Sequence, residues 1–108
     1  MATAPKAEVL QLLNMVDYKP EAVVSQQITM ADSGTVTLFA FDTGKNLAEH
    51  TSPFDAFVQI LEGEAELTLS GQVHILKTGD AVIMPAGSPH ALLAIKKFKM
   101  LLTMIRSK

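Results

Sequence analysis

The chain has 108 residues, 48% hydrophobic and 19% charged, with a net charge of −2 and no cysteine. That length allows one domain with a real core rather than two, and the lack of cysteine removes disulfides, thiol nucleophiles and thiolate metal sites while being compatible with a reducing, cytoplasmic setting. No basic block exceeds Lys96-Lys97, which sets nucleic acid and anionic membranes aside as partners.

Residues 1–21 are predicted to form an N-terminal extension packing on a domain that spans 22–108. Its first six residues are expected to be loose. Val9, Leu10, Leu12, Leu13 and Val16 fall near helical spacing, which predicts a short helix or turn ended by Asp17-Tyr18-Lys19-Pro20. With one lysine and an apolar patch broken by Gln11 and Asn14, the segment does not fit a signal peptide or a membrane span.

From there the pattern is one of short strands. Residues 22–30 and 35–42, separated by Ala31-Asp32-Ser33-Gly34, form an expected opening hairpin. In the second of these, Val36, Leu38 and Ala40 share one face and Thr37, Phe39 and Phe41 the other. Phe39 and Phe41 are expected on the outer face, covered by the N-terminal segment or a second subunit. Residues 47–52 carry His50, Pro53-Phe54 interrupts, and 55–61 follow. Residues 64–69 alternate with Ala65, Leu67 and Leu69 inward, and Ser70-Gly71 is a hairpin signal before 72–76. Residues 81–84, 90–95 and 98–105 complete a count of eight to ten strands with turns between, the pattern of an all-β double-sheet barrel or sandwich.

Two stretches carry the chemistry. Gly79 to His90, GDAVIMPAGSPH, is a glycine turn, a short apolar run, a turn through Pro85 and Gly87, and a histidine heading a new strand. Gly44 to Gly63, GKNLAEHTSPFDAFVQILEG, delivers His50 in the same way. In these spacings the chain resembles the two motifs of the cupins, with Ala94 where the second motif usually ends in Asn. In the first motif Ser52 and Ala56 stand where a second His and a Glu are usual. The resemblance covers residues 22 to 105 and implies a double-stranded β-helix, or jelly-roll barrel. Of the four metal ligands it implies, His50 and His90 are present.

A first-row divalent ion such as Ni, Fe, Mn or Zn accepts neutral imidazole nitrogens, and the alternative is a hydrogen-bonded histidine pair in a barrel without a metal. A third ligand could come from Asp55, Gln59, His74 or water. Strand alternation turns Asp55 and Gln59 away from His50 unless the Pro53-Phe54 kink shifts the register, and His74 belongs on a barrel wall. Asp55 reads equally as a residue fixing a loop through backbone amides. If a pocket exists, its expected walls are Met84, Leu92, Met100, Met104, Phe54 and Val58. Ser52, Met84 and Met104 are the candidate ligand-contacting residues, in a composition suited to a small, mostly apolar compound with one polar group. The resemblance implies a metal-dependent dioxygenase, isomerase or decarboxylase, and the alternative is a non-catalytic small-molecule-binding or sensor barrel. The apolar surplus and the exposed strand edges make a homodimer the expected state.

Overall fold

The computed structural model describes residues 3–106 and shows two antiparallel sheets packed face to face. The strands are β1 (Val23–Ala31), β2 (Gly34–Phe41), β3 (Asn46–His50), β4 (Phe54–Glu62), β5 (Glu64–Leu69), β6 (Gln72–Lys77), β7 (Ala81–Met84), β8 (His90–Ala94) and β9 (Phe98–Arg106). One sheet has the order β1-β2-β9-β4-β7 and the other β3-β8-β5-β6. Successive strands thus alternate between sheets along much of the chain, the arrangement of a jelly-roll barrel.

The turns follow from local chemistry. Ser70 and Gly71 both have positive φ, 49° and 82°, the conformation a two-residue hairpin requires. Gly63, at φ 91°, carries the chain from β4 in one sheet to β5 in the other. A Cβ there would overlap the Lys97 carbonyl and Phe98, so the crossing point demands glycine.

Between the sheets, Phe41 and Phe98 stack with centroids 4.5 Å apart, surrounded by Val58, Ile60, Leu67 and Met100, all fully buried. This settles the two faces of β2 differently from the sequence expectation. Phe39 and Phe41 point into the barrel, and the face bearing Leu38 and Ala40 is the outer one. That outer face is covered by the N-terminal segment, through Val16 with Leu12, Met15 and Tyr18. Both faces of β2 are therefore apolar, and part of the apolar surplus is spent within the chain.

The N-terminal segment contains one 3-10 turn, Leu12–Asn14, rather than an α-helix. It is held by polar contacts as well: Tyr18 Oη donates to Glu62 Oε2 at 2.6 Å, and Lys99 Nζ donates to the Leu13 carbonyl. Burial, then the hydrogen bond to the Glu62 carboxylate, raises the Tyr18 hydroxyl well above its ordinary value. Ala4 is buried and its N–H donates to the Ile28 carbonyl at 3.0 Å, so that residue is tied to β1. Residues 1 and 2 lie outside the described range. Among the described residues no helix is long and apolar enough to cross a membrane.

Candidate functional site

His90 opens β8 directly after the turn through Pro85 and Gly87, and its ring is turned into the barrel and buried, at 7% exposure. His50 reaches the same place by a local irregularity. Leu47 pairs with Leu92 and His50 with His90, so three steps along β3 oppose two along β8. This bulge switches the inward face from odd to even residues, and it alone aims His50 inward. The two rings meet edge to face with centroids 4.3 Å apart, and His50 Nε2 stands 3.1 Å from His90 Nε2.

Each ring is fixed from behind. His50 Nδ1 lies 2.8 Å from the Ala48 carbonyl within the bulge, and His90 Nδ1 lies 3.1 Å from the Ser88 carbonyl within the turn. A carbonyl oxygen only accepts, so both Nδ1 atoms carry their hydrogen and both Nε2 lone pairs face each other. The space between the two Nε2 atoms is one that a shared proton or a metal ion fills.

The pair stands at one end of a cavity of about 160 Å³, lined also by Phe39, Leu47, Ser52, Ala56, Met84, Leu92, Met100, Leu102 and Met104. Across the floor, β4 runs between β7 and β9 in register, so that Ala56 lies between Met84 and Met104. The mouth is shaped by three contacts. Gly87 N–H donates to the Ser52 carbonyl at 2.8 Å, Phe54 N–H donates to Ser52 Oγ at 3.2 Å, and Ala86 N–H donates to Asp55 Oδ1 at 2.8 Å. Ser52 Oγ thereby keeps its own hydrogen to donate.

The structure thus brings His50, His90, Ser52, Met84 and Met104 to one cavity. Asp55 is turned to the loop, Gln59 and His74 do not line the cavity, and no group of three or more His, Cys, Asp or Glu able to hold a metal is found among the described residues. Phe54 and Val58, expected as walls, do not line it: Val58 is wholly buried in the core one step deeper, and Phe54 sits at the start of β4. Phe39 and Leu102 take their place. Phe39 was legible as inward only once the outer face of β2 had been assigned to the N-terminal segment.

Residues 37–106 match the Cupin domain family. The chain is a cupin. A conserved protein of unknown function from Streptococcus pyogenes is 33% identical to it with a TM-score of 0.91, covering 100% of this chain and 97% of that one. A cupin superfamily protein from Desulfitobacterium hafniense is 27% identical with a TM-score of 0.90, covering 98% and 97%. A cupin 2 conserved barrel domain protein from Leptotrichia buccalis, 32% identical with a TM-score of 0.87, is matched over 90% of this chain and 47% of its own. No curated protein sequence matches the chain.

For a cupin the implied occupant is a metal ion, and the donor set provides a test of fit. Two Nε2 lone pairs, oriented by backbone acceptors behind each ring, meet the requirement for imidazole ligation. Nitrogens about 2.0–2.1 Å from one ion can stand at the separation seen here. The fit is that of a two-nitrogen anchor, with the remaining positions open to water or a bound molecule.

Proposed function

We propose that this cupin holds a transition-metal ion between His50 and His90 and binds beside it a small, mostly apolar molecule. The observation that carries this reading is the facing pair of Nε2 atoms at 3.1 Å, each ring locked by a carbonyl on its other nitrogen. The cavity, about 160 Å³, is of the size that holds a single aromatic ring. Its walls are mostly apolar, and the Ser52 hydroxyl and the open side of the histidine pair are the polar groups that would orient such a molecule. When bound, the ion would act as a Lewis acid on an oxygen of that molecule. Nickel, iron, manganese and zinc are the ions to supply first.

The test is metal content by inductively coupled plasma mass spectrometry on tag-free protein, beside His50→Ala and His90→Ala purified identically. Near-stoichiometric metal that falls away in both variants is the expected result. Metal far below stoichiometry after each of these ions, and Cu(I) under anaerobic conditions, has been supplied would sink this reading.

A second reading is a metal-free barrel that binds a small molecule or senses it. It is favoured by Ala56, which cannot ligate or transfer a proton, and by a cavity lining without a carboxylate. It expects an organic molecule carried through purification, visible by native mass spectrometry. For either reading we propose a homodimer. The N-terminal segment leaves uncovered one end of the five-stranded sheet, where Phe57 pairs with Ile83 and Ile105 lies beside them, all exposed. Sedimentation velocity should give a dimer that Ile83→Lys dissociates, and a monomer in the unaltered chain would overturn it.

A further inference from the structure

We infer that the ion this pocket selects is monovalent copper, held by the histidine pair together with a thioether of Met84 or Met104. The inference rests on the reading of His50 and His90 as a metal anchor and names its ion and third ligand.

Three observations lead to it. The two Nε2 atoms face each other at 3.1 Å, each ring held by a carbonyl at its Nδ1. The cavity they face contributes no carboxylate, the donor that suits the harder divalent ions. What the cavity does contribute is sulfur: three of its lining residues are methionines. Thioethers are soft donors and select Cu(I) over the harder divalent ions.

The placement of two of these methionines is specific. Ala56 faces the cavity between Met84 on β7 and Met104 on β9, each directly paired with it across the sheet. Directly opposed residues have Cβ atoms about 4.5–5.5 Å apart. Alanine ends at its Cβ, so the volume above it is left to the two long, flexible neighbours, and either can carry its sulfur over that position. Met84 is 3% exposed, which keeps its thioether away from water. Two imidazole nitrogens and one thioether make a three-donor shell without any acidic group, suited to an ion of low charge and low coordination number.

The test uses the full chain, loaded anaerobically with Cu(I) buffered by bicinchoninate, with Zn(II) titrated in parallel. The chains compared are unaltered protein, Met84→Leu, Met104→Leu, the double variant and His90→Ala. One Cu(I) per chain is expected. The double variant should lose at least roughly tenfold in Cu(I) affinity, the low end of what losing even a supporting group costs a metal site, with Zn(II) affinity unmoved. Copper K-edge absorption should show a sulfur scatterer in the unaltered chain and none in the double variant. Leucine for methionine nearly conserves volume. Should the double variant still fail to fold, selenomethionine-labelled unaltered protein gives the same answer through a copper neighbour at the selenium edge.

A bound copper with nitrogen and oxygen scatterers only, or Cu(I) affinity unchanged in the double variant, overturns the thioether ligand while the metal anchor stands. Tighter retention of Zn(II) than of Cu(I) overturns the choice of ion. If neither ion is retained, or retention is unchanged in His90→Ala, the metal anchor fails and this inference with it.

Discussion

The two faces of the five-stranded sheet handle polar groups in opposite ways. On the outer face, under the N-terminal segment, buried Lys99 donates to the Leu13 carbonyl, lies 3.9 Å from Glu62 and 5.1 Å from the Tyr18 ring centroid, and Tyr18 donates to Glu62. Lys99 and Tyr18 each donate to an acceptor there, and Leu38 and Ala40 are packed without exposure. On the inner face the same sheet leaves a cavity faced by two histidines from the other sheet, with their Nε2 atoms 3.1 Å apart. One face is a closed fastening and the other keeps a cavity with two facing imidazole nitrogens. Two imidazole nitrogens facing each other at the end of a cavity mark the site more sharply than the presence of histidine does.

The largest expected effect tests the closed face. Leu38→Ala removes a fully buried side chain between the N-terminal segment and the sheet and should cost roughly 2–5 kcal/mol in chemical denaturation. Metal and ligand binding on the inner face should be unchanged per folded molecule. A loss of binding at full folding would show that the two faces are coupled and break the comparison.

The open face is tested next. Ala56→Glu places a carboxylate in the cavity beside the histidine pair. Without an ion it should destabilise by roughly 1–3 kcal/mol, because a polar group is buried unsatisfied. With Zn(II) or Ni(II) present the loss should reverse, since the added negative charge offsets the divalent ion. Thermal melts with and without each ion decide it, and a variant indifferent to metal would contradict the cation anchor.

The strands and turns were legible in the sequence because their signals are local: alternation in residues 64–69, Ser70-Gly71 at a hairpin, Pro85 and Gly87 before His90. The convergence of His50 and His90 followed from motif spacing. The bulge in β3 did not, because nothing in Leu47-Ala48-Glu49-His50 announces an extra residue. Its cause lies across the sheet, in the pairing with Leu92 and His90. The faces of β2 were exchanged for a related reason. When a strand is buried on both sides, its alternation carries no label of inside and outside, and the label comes from Val16, twenty-two positions before Leu38. Asp55 was read with two alternatives, and the backbone amide of Ala86 takes it.

A smaller effect returns to the fastening. Tyr18→Phe deletes the hydrogen bond to Glu62 and should cost about 1–2 kcal/mol at neutral pH, near the ordinary value for a bond to a partly exposed charged acceptor. The Tyr18 hydroxyl ionises less readily in the folded chain than at its ordinary value of 10.0. Its contribution is therefore complete below pH 10 and is lost as the pH rises beyond that, where the unfolded chain ionises first. The stability gap between the native chain and Tyr18→Phe should hold to pH 10 and close above it. A gap that widens with alkali would mean that the phenol is not held neutral by the fold.

The smallest effect concerns the corner where the N-terminal segment joins β1. Glu21 sits at φ 56°, a left-handed conformation unusual for glutamate, and its N–H donates to Asp42 Oδ2 at 2.7 Å while Thr43 N–H donates to Oδ1 at 2.9 Å. These two backbone hydrogen bonds, with Lys97 and Lys45 adding to them, hold the Asp42 carboxyl below its ordinary value of 3.8. A lowered value means that the folded chain favours the charged form. The contribution is present in full above pH 3.8 and disappears as the pH falls through the folded value. Asp42→Asn keeps the shape but can offer only one oxygen to the two amides, and its NH₂ opposes the other. Acid unfolding followed by circular dichroism should show the native chain ahead of Asp42→Asn at neutral pH, with the two curves converging below pH 3.8. Curves that stay parallel through that range would assign the corner to shape alone, and the fastening would then end at Tyr18 and Lys99.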